Sequence, residues 1–161
     1  MTNNDPGARR EFDLIVYGAS GFTGRLVAEY LQRQYGGAGD IRWAVAGRDE
    51  AKTRKALADV GIPPDAIPVL VADSSDSASL AAIAGRSTVI LTTVGPYAKY
   101  GSAPVEACVD QGTAYCDLAG EVQWMRKMID RHQAQAEASG ARIVHACGFD
   151  SIPSDIGVWF L

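Results

Sequence analysis

The sequence predicts an α/β fold in which helices cover both faces of a doubly wound, mostly parallel sheet of six strands. An apolar run, Phe12–Tyr17, leads directly into three glycines spaced G-x-x-G-x-x-G and then into a helical pattern. Five further apolar runs alternate with helical patterns along the rest of the chain. Such alternation is typical of right-handed β-α-β units, which place helices on both faces of a parallel sheet.

The first half of the chain predicts three strands joined by two helices. A glycine cluster ends the first helix, and Pro63 and Pro64 follow the second. The strands are predicted at 12–17, 41–46 and 67–72, and the second helix is predicted to run from a cap at Asp49 to Val60. Three strands within about 60 residues match one half of a Rossmann-type dinucleotide-binding fold.

The second half repeats the alternation. Helices are predicted at 77–84, 103–111 and 121–139, and strands at 88–92, 114–116 and 142–146. Because parallel strands end at one edge of the sheet, the turns that follow them are where ligand-binding residues are expected.

The glycine turn is predicted to bind a pyrophosphate. Gly18 permits a sharp turn, Gly21 lets the backbone approach the phosphates, and Gly24 lets the helix pack closely on the strand. The helix N-terminus then offers unpaired N–H groups and a partial positive charge to the anion.

The end of the second strand favours NADP over NAD. NAD-specific folds usually carry an acidic residue there, whereas this strand ends in Ala46-Gly47-Arg48. Gly47 leaves room for a 2′-phosphate, and the Arg48 guanidinium supplies charged donors. Asp49 could be the displaced acidic residue of an NAD site, but its position before a helical pattern makes a helix N-cap the simpler explanation.

Two further turns have both a ligand-binding and a structural interpretation. Asp73 could meet the adenine or cap the following turn. The segment Val94-Gly95-Pro96-Tyr97 is expected to face the nicotinamide, although an ordinary β-turn fits the same residues.

Two carboxylates at the same edge are candidates for catalysis. Asp117 or Asp150 could orient a substrate or a water, and helix capping by Asp117 or by Ser154 is the structural alternative. Phe149 and Ile152 are interpreted as packing residues.

Composition narrows the classes of function. The 161 residues carry a net charge of −4, which gives no field to attract nucleic acid, and residues 1–11 form a polar, disordered leader. No transmembrane segment is visible, so a cytoplasmic location is expected. The three cysteines, Cys108, Cys116 and Cys147, are interpreted as buried thiols. His132 is interpreted as a surface helix residue and His145 as a strand-end residue, and no metal site is expected.

The C-terminal residues 151–161 have an apolar helical pattern and no polar tail. They are interpreted as the start of a connection to a second, substrate-binding domain, so that residues 12–150 form the dinucleotide-binding domain. Exposed apolar residues there could also produce a homo-oligomer.

Five segments together resemble one family: GASGFTG, the AGR after the second strand, TTVGPYAKYG, GTAYCDLAGE and GFDSIPSD. They are similar to the N-terminal NADP-binding domain of saccharopine dehydrogenase-like oxidoreductases, especially the branch called trans-acting enoyl reductases. The resemblance implies pyrophosphate contacts by Gly18, Ser20, Gly21, Phe22, Thr23 and Gly24, a 2′-phosphate contact by Arg48, and a nicotinamide site near Gly95, Pro96 and Tyr97.

The expected function is NADPH binding in an oxidoreductase that acts on a small-molecule or lipid-like substrate, with an enoyl group as the substrate that the resemblance favours. A saccharopine-type amino-acid dehydrogenase and a non-catalytic, NADP-sensing regulatory module remain alternatives. The chain alone is expected to be inactive. Tyr97, Asp117 and Asp150 are the candidate catalytic residues.

Overall fold

A six-stranded parallel sheet organises the protein, as the sequence predicts. The computed structural model describes residues 9–36 and 40–161. The strands are β1 (Phe12–Tyr17), β2 (Trp43–Gly47), β3 (Val69–Val71), β4 (Ser87–Thr92), β5 (Ala114–Asp117) and β6 (Ile143–Val144). The helices are α1 (Phe22–Tyr35), α2 (Glu50–Ala58), α3 (Ser77–Arg86), α4 (Tyr97–Tyr100), α5 (Ser102–Gln111), α6 (Val122–Ser139) and α7 (Ile152–Phe160).

The strand order is β3-β2-β1-β4-β5-β6, and all neighbours in it are parallel. The chain therefore leaves β1 towards one side of the sheet and returns beside it as β4 on the other. A crevice opens at the carboxyl ends of strands where the order reverses in this way. The turns after β1 and β4 consequently face each other.

The core consists of two apolar clusters, one on each face of the sheet. Ile15 belongs to one cluster and its neighbour Val16 to the other, and both are fully buried. Ala44 and Val45 of β2 divide between the clusters in the same way. Continuous apolar runs rather than alternating ones follow from this burial on both faces.

Three strands are shorter than predicted. β2 begins at Trp43, β3 covers only Val69–Val71, and β6 has two residues. Pro68 has no N–H for the ladder, which explains the late start of β3. β6 is an edge strand, and after it His145 turns towards β5 instead of continuing the ladder.

The short helix α4 is a feature that the sequence analysis missed. Its first N–H groups, those of Tyr97 and Ala98, donate to the Glu121 carboxylate at 2.6 and 2.8 Å. Because this cap comes from 23 or more residues further along the chain, no local sequence signal predicts it.

Several assignments of single residues were wrong. His132 is buried, because its spacing of four from Met128 and Ala136 puts it in the apolar stripe of α6. Cys108 is buried as predicted, whereas Cys116 is half-buried and Cys147 is exposed. The predicted packing residues are also exposed, Phe149 by 91% and Ile152 by 38%.

The N-terminal segment is anchored at its end. Residues 1–8 of the predicted leader lie outside the described residues, but the Arg10 guanidinium donates to the carbonyl oxygens of Ala84 and Ser87 at 2.8 and 2.7 Å. Arg10 thereby ties the chain to the junction of α3 and β4.

Among the described residues no helix is both long and apolar enough to cross a membrane. The cytoplasmic location stays a prediction.

We expect Gly24→Ala to lower the free energy of unfolding by about 2 kcal/mol, although alanine is the better helix former. A Cβ at Gly24 would lie 2.2 Å from the Gly18 carbonyl oxygen and 2.8 Å from the Ala19 Cα, both backbone atoms. Urea unfolding of the two proteins measures the difference.

Gly120→Ala is the matched control, because a Cβ at Gly120 meets no atom within 4 Å. Its effect should stay within about 0.5 kcal/mol. Equal effects of the two substitutions would contradict the close approach of α1 to the glycine turn.

Candidate functional site

A cleft of about 280 Å³ lies at the carboxyl ends of β1, β2 and β4, at the point where the strand order reverses. Seven of the predicted cofactor residues line it: Gly18, Ser20, Gly21, Arg48, Asp73, Val94 and Gly95. Sequence reasoning gave no ligand-binding role to five others, and considered Asp49 only as the acidic residue of an NAD site; the five are Tyr17, Lys52, Ser74, Thr93 and Tyr100. Thr93 directly follows β4 and Tyr17 is the last residue of β1, a position that could have identified both, whereas Lys52 and Tyr100 lie on helices.

The glycine turn forms the floor of the cleft. Gly18 has a φ of +98°, and a Cβ there would lie 2.7 Å from Val94 Cγ2. Gly21 caps α1 without a side-chain hydrogen bond, and the first turn of α1 has no acidic residue. The first N–H groups of α1 are therefore available to an anion, so the turn fits a pyrophosphate.

Phe22, Thr23 and Gly24 do not line the cleft. They form the first turn of α1, where Phe22 is 71% exposed and the Arg25 guanidinium lies 5.3 Å from the centre of its ring. Gly24 is buried against the Gly18 carbonyl, so its contribution is to bring the helix close to the turn.

The end of β2 presents Arg48 to solvent. Its side chain forms no ion pair with any residue in 9–36 or 40–161. Asp49 accepts a hydrogen bond from the Lys52 N–H at 2.9 Å, which confirms it as the N-cap of α2. Packing also favours glycine at position 47, since a Cβ there would lie 2.7 Å from Thr53 Oγ1.

Asp73 lines the cleft and holds the turn after β3, which confirms its structural role, while its contact with the adenine stays a prediction. It accepts from the Ser75 N–H and hydroxyl at 2.8 and 2.7 Å. These hydrogen bonds lower the pKa of the Asp73 carboxyl. The carboxylate therefore keeps its negative charge at neutral pH.

At the β4 end the structure does not bring Pro96 and Tyr97 into the cleft. Tyr97 is buried, its hydroxyl donates to the Thr92 carbonyl oxygen at 3.2 Å, and burial raises the pKa of Tyr97 to about 12. Tyr100 lines the cleft instead, with the Lys99 Nζ 5.0 Å from the centre of its ring. Tyr97 is thus placed to support the turn, and its hydroxyl is already engaged.

Asp117 is the centre of a buried polar cluster outside the cleft. Its Oδ2 accepts from the Tyr115 hydroxyl at 2.9 Å and lies 2.6 Å from His145 Nδ1, while Oδ1 accepts from the N–H groups of Ala119 and Ala146. Burial raises the pKa of Asp117, but the hydrogen bonds from His145, Ala119 and Tyr115 outweigh it and hold the pKa below its ordinary value. The cluster joins β5 to the segment after β6.

Asp150, the third catalytic candidate, is exposed in the turn before α7 and does not line the cleft. Its Oδ1 lies close to Gly148, where a Cβ would be 2.7 Å away. None of the three candidates therefore lines the cleft, although the Tyr97 ring packs next to Gly95, where a Cβ would lie 3.6 Å from it.

A second cleft, of about 200 Å³, lies between α5, α6 and β6. Both ring nitrogens of His132 and the Nε2 of His145 are buried there without a partner in the described part of the chain. Burial lowers the pKa of His132, so its imidazole is neutral at neutral pH. Across the described ranges no group of three or more His, Cys, Asp or Glu residues could hold a metal ion.

Comparison with known proteins identifies the family of the chain. Residues 14–144 match the saccharopine dehydrogenase NADP-binding domain. The chain belongs to this family. The family description names NADP, which is the cofactor that the end of β2 predicts.

Relatives in the family are named trans-acting enoyl reductases. One from Mycobacterium leprae is 49% identical over 153 residues, which are 95% of this chain and 36% of that protein. One from Mycobacterium tuberculosis is 47% identical over 154 residues, 96% of this chain and 36% of that protein. The chain thus spans about a third of the length of these curated relatives.

A solved structure has the same fold as this chain. Apo saccharopine dehydrogenase (L-Glu forming) from Saccharomyces cerevisiae superposes with a TM-score of 0.68 at 18% identity. The match covers 87% of this chain and 28% of that one. It shows the fold and confirms the predicted Rossmann-type class.

We expect Asp117→Asn to cost about 3 kcal/mol of stability at neutral pH, since the amide is uncharged and has one oxygen where the carboxylate has two for four surrounding groups. The folded pKa of Asp117 is lowered, so its stabilisation is present above the unfolded pKa and is lost as the pH falls through the folded pKa. The difference between wild type and variant should therefore shrink below about pH 4.

Urea unfolding at several pH values measures this dependence. The control is Asp65→Asn, at an exposed position, which should change stability by less than about 0.5 kcal/mol. A cost of Asp117→Asn that stays constant down to acid pH would contradict an ionised Asp117.

Proposed function

We propose that the protein binds NADPH along the first cleft and that it is the cofactor domain of an oxidoreductase. The observation that carries the proposal is the arrangement of the cleft: an uncapped helix N-terminus on a glycine turn at one end of β1 and an exposed arginine at the end of the adjacent β2. Phosphate groups need N–H donors and positive charge, and this cleft offers both.

The pyrophosphate is proposed to lie on Gly18, Ser20 and Gly21. A Cβ added at Gly21 would have one neighbouring atom within 4 Å, the Gly18 carbonyl oxygen at 3.3 Å. The backbone of Gly21 can therefore be approached closely by a ligand. Thr93 and Val94 pack against Gly18 from the opposite side of the switch point. The two turns together define the width of the site.

The 2′-phosphate is proposed to bind Arg48. The guanidinium is exposed beside the cleft, and its planar set of donors matches a phosphate. Asp49, the residue that an NAD site would require, is already used as the cap of α2. This arrangement favours NADPH over NADH.

The nicotinamide is proposed to lie beside Val94, Gly95 and Tyr100, at the β4 end of the cleft. NADPH would supply a hydride when bound, and the residues at this end of the cleft would orient the ring. Asp73 is proposed to face the adenosine half, because it follows β3 on the opposite side of β1 from β4.

The proposed reaction is reduction of an enoyl group on a small-molecule or lipid-like substrate, in line with the names of the relatives. A saccharopine-type amino-acid dehydrogenase is the alternative that the family description supports. A regulatory module that senses NADP without turnover is a third possibility of a different class, and substrate turnover by the full-length protein would contradict it.

Further domains are proposed to contact α7. All its residues from Pro153 to Phe160 are exposed, among them Trp159 at 84% and Phe160 at 83%. Exposed apolar area on this scale marks a contact surface, and the curated relatives are longer than this chain. In this proposal residues 12–150 are the cofactor domain and residues 151–161 lead towards a substrate domain. We expect no turnover without that substrate domain. The alternative is that α7 contacts a second copy of the chain.

We expect Arg48→Ala to weaken NADPH binding by about 1.5 to 3 kcal/mol and to leave NADH binding unchanged, because only NADPH carries the 2′-phosphate. Calorimetric titration of both nucleotides into both proteins measures this preference. Arg54→Ala is a control on α2, since its guanidinium is held by Glu50 and the Pro64 carbonyl. Equal NADPH affinity of wild type and Arg48→Ala would refute the role of Arg48.

A further inference from the structure

Lys52 lies on the wall of the cofactor cleft together with Arg48. It is the third residue of α2, and its side chain is exposed. Within the described ranges its ammonium forms no ion pair, and its backbone N–H is the group that Asp49 caps. The side chain is therefore available to a ligand.

The other basic residues of α2 are placed differently. Arg54 donates to the Glu50 carboxylate and to the Pro64 carbonyl oxygen at 2.6 to 2.9 Å, which holds it away from the cleft. Lys55 is exposed on the same helix but does not line the cleft. Lys52 is thus the basic residue of α2 that faces the cofactor site.

The charges of the cleft show why a second cation is needed. Its ionised side chains are those of Arg48, Lys52, Asp49 and Asp73. Without Lys52 the remaining three sum to −1, which would oppose a phosphate group, whereas with Lys52 the sum is zero. The two carboxylates are already engaged by N–H and hydroxyl donors of their own turns, so both cations can turn to a ligand.

We infer that Lys52 is the second cationic contact of the 2′-phosphate and, with Arg48, determines the preference for NADPH over NADH. This inference rests on the proposed function. Arg48 provides the planar, bidentate contact, and Lys52 provides a mobile point charge that approaches the phosphate from the first turn of α2. The N-terminal end of that helix adds a favourable dipole.

The test compares wild type with Lys52→Met, which keeps the length of the side chain and removes its charge. Titrations use NADPH, NADH and adenosine 2′,5′-bisphosphate, the last as a probe of the phosphate site alone. We expect Lys52→Met to weaken NADPH and the bisphosphate by about tenfold, which is about 1.4 kcal/mol, and to leave NADH unchanged. The salt dependence of NADPH binding should also become weaker.

Two variants serve as controls. Lys55→Met removes the same charge one turn further along α2 and should change none of the affinities, because Lys55 does not line the cleft. Lys52→Arg keeps the charge and should retain the preference for NADPH. A loss in Lys55→Met equal to that in Lys52→Met would indicate a long-range effect of net charge and overturn the inference.

Failure of the inference is distinguishable from failure of the proposed function. If wild type prefers NADPH, and Arg48→Ala removes the preference while Lys52→Met keeps it, only the role of Lys52 is overturned. A parallel loss of NADPH and NADH binding in Lys52→Met would overturn it too, since the effect would not depend on the 2′-phosphate. If wild type binds neither nucleotide, both conclusions fall.

Discussion

The close approach of α1 to the end of β1 is the constraint on which the site depends. Gly24 packs against the Gly18 carbonyl at a distance that no Cβ could occupy, and Gly18 in turn packs against Val94 in the turn after β4. These contacts fix where the N-terminus of α1 points and how wide the crevice is at the switch point. The contact of Gly24 involves backbone atoms, so the position of α1 does not depend on flexible side chains, whereas the contact of Gly18 is with the side chains of Val94 and Thr93.

The acidic and the basic side chains of the cleft have different roles. Asp49 and Asp73 both line a site proposed for phosphate, yet each is engaged by donors of its own turn. Arg48 and Lys52 form no such internal pairs in the described part of the chain. The acids therefore organise the turns, while the cations remain available to the ligand.

The sequence was sufficient for the alternation of six strands with helices and for the glycine turn, because both follow from local spacing and from the rules for β-α-β connections. It was insufficient where distant residues meet. Glu121 caps α4, and Asp117 pairs with His145 across 28 residues, so neither contact leaves a local pattern. The error for His132 is different, since its spacing from Met128 was readable but its polar character was given more weight.

The most direct measurement is a titration of the ¹⁵N-labelled protein with NADP⁺ and, separately, with NAD⁺, followed by amide chemical shifts. The account predicts that both nucleotides shift the amides of Gly18, Gly21 and Gly95, and that only NADP⁺ produces large shifts at Arg48 and Lys52. Shifts confined to the second cleft around His132, or identical shifts at Arg48 with both nucleotides, would contradict it.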